Sequence, residues 1–224
     1  MNKNQTIDQS EQFRQEFIAF AIKKEVLRFG EFKTKAGRLS PYFFNAGLFN
    51  DGESLMKLGE FYASAIINSG IEFDMLFGPA YKGITLAASI AIAFAKVGRN
   101  IPYAYNRKEP KDHGEGGVIV GSQLNGRVLI IDDVISAGTS VRESVELIKI
   151  NGAHPCGVAI AIDRQERGTG ELSAVQEVIK NNGIPVCAIA NLNNLMTYLQ
   201  NKNEVTQDLL LAKVKSYRQM YGVD

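Results

Sequence analysis

The sequence predicts an α/β fold: a doubly wound, mostly parallel sheet flanked by helices, with a small N-terminal cap. Three observations carry that expectation. Apolar runs within "FDMLFGPA", "RVLIIDDV" and "CGVAIAID" lack polar alternation, as strands buried on both faces do. Segments with helical spacing separate these runs one by one, which is the pattern of βα units. Each run also stops at a polar segment, several of them rich in glycine.

Taken in order, residues 8 to 29 place Phe13, Phe17, Phe20 and Leu27 on one stripe, so a helix is predicted up to Gly30. "EFKTKAGRLSPYFFNAGLFN", residues 31 to 50, is aromatic, β-prone and broken by Gly37 and Pro41. It reads as a hairpin-like unit, and residues 1 to 50 are expected to form a hood on a single domain spanning 1 to 224. A helix over about 54 to 68, striped by Leu55, Leu58, Tyr62 and Ile66, precedes the strand "FDMLFGPA". A helix over 84 to 96 and the strand "IPYAYNRK" follow, then a polar loop "KEPKDHGEGG", a short "VIVG" and "RVLIIDDV". Helices over 138 to 150 and 171 to 181 alternate with strands "CGVAIAID" and "IPVCAIAN". Two helices close the chain, the last striped by Leu210, Val214, Tyr217 and Tyr221.

Composition narrows the function. A chain of 224 residues, 45% hydrophobic and 22% charged, can bury roughly 70% of its unfolded surface. Formal charge is +1, from 25 basic and 24 acidic side chains, so no bulk field attracts nucleic acid or an anionic membrane. The longest apolar stretch, Ile84 to Ala95, is too short for the roughly 20 residues a membrane span needs. The N-terminus lacks the apolar core of a secretory signal, and a cytoplasmic location is expected. Cys156 and Cys187 sit in apolar runs without metal-ligand spacing and are expected to be buried free thiols. No protein-held metal site is expected.

In doubly wound folds ligands bind beyond the carboxyl ends of the strands. Those ends here are "GPAYKG", "NRKEPKDHGEGG", "DDVISAGTS" and "DRQERGTG". No GxxxxGK[ST], GxGxxG or GxSxG occurs, which argues against P-loop, dinucleotide and hydrolase sites. "ISAGTS" has the makings of an anion cradle: Ser136, Thr139 and Ser140 offer hydroxyls, Ala137 and Gly138 permit close backbone approach, and a helix N-terminus follows. Asp132 and Asp133 would repel a phosphate so close, unless they accept hydrogen bonds from ribose hydroxyls. Together these features suit a ribose 5-phosphate. The plainer reading is an Asp capping an ordinary helix.

"VLIIDDVISAGTS" resembles the 5-phosphoribosyl-1-pyrophosphate (PRPP) signature of the type I phosphoribosyltransferases. "KAGRLSPYFFNAGLF", "LFGPAYKGI", "NRKEPKDHGEGG" and "DRQERG" are in addition similar to the orotate phosphoribosyltransferase family, across roughly residues 25 to 220. The resemblance implies that Lys35, Tyr81, Lys82, Arg107, Lys108, Lys111, His113 and the run Asp132, Asp133, Val134, Ile135, Ser136, Ala137, Gly138, Thr139 and Ser140 bind PRPP. It implies that Phe43, Phe44, Ser136 and Arg164 bind orotate, and that Lys111, His113 and Asp133 act in catalysis. It further implies Mg2+ arriving on PRPP, a homodimer, and a lid over pyrophosphate that reaches the neighbouring subunit.

From the residues alone, the lid segment reads more readily as a solvated loop, and Phe43 and Phe44 as core. An unpaired, buried Arg164 would penalise uracil against orotate by roughly 2 to 5 kcal/mol. Ser136 stands where many relatives carry Thr, keeping the hydroxyl, and Pro110 is expected to restrict the lid's hinge. A purine or uracil phosphoribosyltransferase, and a non-catalytic PRPP-sensing regulator, stay as alternatives.

Overall fold

The computed structural model describes residues 3–34, 36–111, 117–168, 170–202 and 205–223. Helix α1 (Lys3–Lys23) ends earlier than the periodicity suggests. Glu25 turns the chain with φ 58°, and Leu27 opens a strand instead of closing a helical stripe. An apolar residue at that spacing fits either period, so the stripe could not discriminate. Strand β1 (Leu27–Lys33) pairs antiparallel with β2 (Leu39–Phe44), giving the expected hairpin a few residues early. Gly30 marks the register shift between Phe29 and Phe32 rather than a helix stop.

The alternation then proceeds as the sequence suggests: α2 (Gly52–Ser69), β3 (Met75–Gly78), α3 (Lys82–Lys96), β4 (Tyr103–Lys111), β5 (Gly117–Gly121), β6 (Arg127–Ile131), α4 (Thr139–Ile150), β7 (His154–Asp163), α5 (Ala174–Asn182), β8 (Val186–Asn191), α6 (Leu192–Gln200) and α7 (Val205–Tyr221). Asp51 caps α2 by accepting from the Ser54 amide at 2.8 Å, and Gly70 ends it in the left-handed conformation. The sheet runs β5-β4-β3-β6-β7-β8, with β5 the antiparallel member at one edge.

Successive strand residues serve two cores. Leu76 packs with α2, α3, α6 and the hairpin, whereas Phe77 packs on the opposite face with α4 and α5. Leu27, Tyr42 and Phe44 of the hairpin share the first core, so the hairpin is sealed onto the main body. Cys156 and Cys187 are free and half-buried, and burial pushes both thiols up to about 11.

The chain order reverses at β3, which lies between β4 and β6. That switch point creates a crevice beyond the strand ends. A Cβ on Gly78 would lie 2.0 Å from the Gly83 carbonyl oxygen, and one on Gly83 only 2.8 Å from that of Ile131. Glycine at both positions lets the first turn of α3 press into the crevice, carrying Tyr81 and Lys82 with it.

Candidate active site

At the end of β6 the two acids are fixed from several directions. Asp133 is 5% exposed and accepts from Lys82 Nζ at 2.6 Å. Its carbonyl accepts from the Ala161 amide, and the Asp132 amide donates to Ala159, so β7 holds the backbone of both. Tyr62, fully buried on α2, donates its hydroxyl to the Asp132 carbonyl at 2.7 Å. Burial, then the neighbouring Asp133, raises the Asp132 carboxyl to about 6.

Beyond the acids, Val134 and Ile135 are half-buried, while Ser136, Ala137 and Thr139 are exposed. Gly138 turns the loop into α4 with φ 67°, and no side chain caps that helix. Its first amides therefore face the loop, with the positive end of the helix dipole behind them. Ser140 lies beside Asp132 and lowers its affinity for protons. Asp132 through Ser140, gathered from sequence as one candidate site, form one continuous turn at the switch point.

Cations reach this turn from the β3 and β4 ends. Lys82 already holds Asp133, and Tyr81 stands 69% exposed with Lys108 Nζ 4.9 Å from its ring centroid. Asn106 accepts from the Ala80 amide at 2.8 Å, tying the two strand ends together. Arg107 is half-buried, and its Nη1 donates to the Gly117 carbonyl at 3.5 Å. The segment expected as a polar loop is partly strand, because β4 continues to Lys111 and pairs with Gly117 of β5. Charged residues and proline read as loop from composition, yet they are tolerated past Tyr105, where β3 has ended and β4 pairs with β5 alone. Lys35 and His113 lie outside the described residues, as does the side chain of Lys111.

The β7 end differs from expectation. Arg164 is not unpaired: its Nε and Nη2 lie 2.9 and 2.7 Å from Glu166 Oε1, and Nη2 also donates to Ser40 at 3.1 Å. The guanidinium carbon sits 4.9 Å from the Tyr42 ring centroid. The uracil penalty argued from a bare cation is overturned in that form, since the chain itself supplies a counter-charge. Phe44 places its ring in the core against Phe17, centroids 6.4 Å apart, rather than toward the crevice. Phe43 is 36% exposed and stacks on Phe32.

Sequence reasoning missed Ser40, Tyr42, Tyr62, Glu166 and Tyr217. Glu166 stood in view inside "DRQERG"; the others carried no signal beyond a buried-looking aromatic or a serine before Pro41. Tyr217 closes the cluster edge-on to Tyr42, with its hydroxyl buried near Glu166 and Ser40.

Fold and site together define a phosphoribosyltransferase domain, and the family model of that description matches residues 47–188. An orotate phosphoribosyltransferase of Chromobacterium violaceum is 66% identical over 212 residues, covering 95% of this chain and 98% of that one. One from Neisseria meningitidis serogroup C is also 66% identical, with 95% and 99% covered. The crystal structure of orotate phosphoribosyltransferase from Francisella tularensis aligns with TM-score 0.84 and 45% identity, covering 93% of this chain and all of that one. The chain belongs to the orotate phosphoribosyltransferase family. The purine, uracil and regulator alternatives gain no support from these relatives.

Proposed function

We propose that the chain transfers ribose 5-phosphate from PRPP to N1 of orotate, giving orotidine 5'-phosphate and pyrophosphate with inversion at the anomeric carbon. The observation that carries this reading is the twin-acid turn Asp132 to Ser140 at the switch point, beside Lys82 and ahead of an uncapped helix. In it the α4 amides and the hydroxyls of Ser136, Thr139 and Ser140 receive the 5-phosphate. Asp132 and Asp133 accept from the ribose hydroxyls, which requires Asp133 to exchange Lys82 for ligand.

As C1' loses pyrophosphate it gains cationic character while negative charge builds on the leaving group. Preorganised charges aimed at both are worth most in such a transition state. Asp133 softens the cation; Lys82, Arg107, Lys108, Lys111 and His113, with Lys35 and Tyr81, oppose the departing charge. Arg164 takes the base carboxylate, with Phe43, the Phe44 backbone and Ser136 around the ring.

Among the described residues no group of three His, Cys, Asp or Glu side chains is placed to hold a metal. The adjacent Asp132 and Asp133 nevertheless suit a Mg2+ carried in on PRPP, because that ion commonly keeps waters and takes few protein ligands. When bound it would neutralise pyrophosphate charge.

A homodimer, with lid residues reaching the neighbouring subunit, is part of the proposal. A cytoplasmic location is proposed as well; no helix among the described residues is long and apolar enough to cross a membrane.

Pyrophosphate release from PRPP and Mg2+, measured with and without orotate, tests the reaction. Release dependent on orotate is expected. Turnover of uracil or hypoxanthine in its place would overturn the reading, and sedimentation as a monomer would overturn the dimer.

A further inference from the structure

We infer that Glu166 is a positioning and specificity residue for the base site: it aims Arg164 and balances its charge. The inference rests on the reading that Arg164 takes the carboxylate of the base. Three donors converge on Glu166 Oε1: Arg164 Nε at 2.9 Å, Arg164 Nη2 at 2.7 Å and the Tyr42 hydroxyl at 3.3 Å. The second Nη2 hydrogen goes to Ser40 at 3.1 Å, and the guanidinium lies over the Tyr42 ring. A guanidinium offers five N–H donors in a fixed fork. These contacts occupy the Nε and Nη2 positions, and the Tyr42 hydroxyl also bonds the guanidinium; the Nη1 end is the one assigned to a ligand. Glu166 and Arg164 are 15% and 22% exposed in their side chains, which keeps their interaction poorly screened.

Two consequences follow from that geometry. A side chain with four rotatable torsions is frozen before substrate arrives, which lowers the entropy cost of binding. The site is also electrically neutral at rest and gains one net negative charge with a carboxylate base. Glu166 therefore tempers the grip on the carboxylate. Product carries the same carboxylate as substrate, so the tempering acts on both and favours product departure.

Glu166→Gln keeps an oxygen acceptor for the fork and deletes the charge; Glu166→Ala deletes both. For Glu166→Gln the orotate KM and the dissociation constant of orotidine 5'-phosphate are expected to fall together by roughly three- to tenfold. The PRPP KM should stay fixed. For Glu166→Ala the orotate KM should rise by about tenfold or more as the fork loses its anchor. An orotate KM that is unchanged or raised in Glu166→Gln would reduce Glu166 to a structural latch and overturn the inference, whatever happens to Tm. Arg164→Ala separates the two levels. If it leaves the orotate KM unchanged, the base-site reading fails and takes the inference with it. If it raises that KM while Glu166→Gln does not lower it, the inference alone fails.

Discussion

The β6 and β7 strand ends lie side by side in one sheet, yet they are built in opposite ways. After β6, Asp132 to Ser140 form a contiguous turn that draws its acids, hydroxyls and amides from one stretch of chain, with Lys82, Tyr62 and β7 bracing only the two acids. After β7, Arg164 works only through Ser40 and Tyr42 of the hairpin, Glu166 two residues on, and Tyr217 of α7. Arg38 adds to this by donating to the Arg167 and Gly168 carbonyls, while Glu166 bridges to Gly222. One site is local and the other tertiary. A local site tolerates loss of a side chain without loss of fold, whereas a tertiary one couples the two.

Substitutions at the two ends put that contrast to work. Asp133→Ala should cost turnover about 10²- to 10³-fold, as loss of one preorganised electrostatic group does. Its Tm should barely move, because the backbone stays anchored through Ala161; a large drop in melting would erase the distinction between the ends. Arg164→Ala should raise the orotate KM about thirtyfold or more, leave the PRPP KM alone and also lower Tm, since Glu166 keeps a half-buried charge without its partner. Steady-state kinetics beside a melting curve read both. Ser173→Ala removes the N-cap of α5, where the hydroxyl accepts from the Gln176 amide at 3.1 Å. Stability should drop by about 1 kcal/mol, with both KM values untouched, which sets the baseline for a change in fold alone. Tyr42→Phe should cost less than that, about 0.5 kcal/mol for a long hydrogen bond. Its orotate KM should shift in the same experiment, because the lost hydroxyl helps to hold Glu166.

The contrast also explains what the sequence disclosed. The parallel sheet, its order of helices and the twin-acid turn were legible because each depends on residues close together in the chain. Leu27 was misread as helical because a single apolar position satisfies periods of 3.6 and 2 alike. Residues 108 to 111 were misread as loop because β4 there has β5 on one side only, past the end of β3, and such a strand accepts the charges and proline that composition assigns to solvent. Arg164 could be singled out from the sequence, but not its environment. Its partner Ser40 lies 124 positions away, and nothing local announces that pairing.

Asp132 has one more consequence. Burial and Asp133 push its carboxyl up to about 6, whereas a ribose hydroxyl is best accepted by the ionised form. Uptake of the sugar donor thus draws a proton off Asp132, more in mildly acid than in mildly alkaline solution. The heat of that uptake should then vary with the ionisation enthalpy of the buffer, most strongly in mildly acid solution. Titration calorimetry in two buffers of equal pH, on the parent and on Asp132→Asn, would isolate the contribution of Asp132.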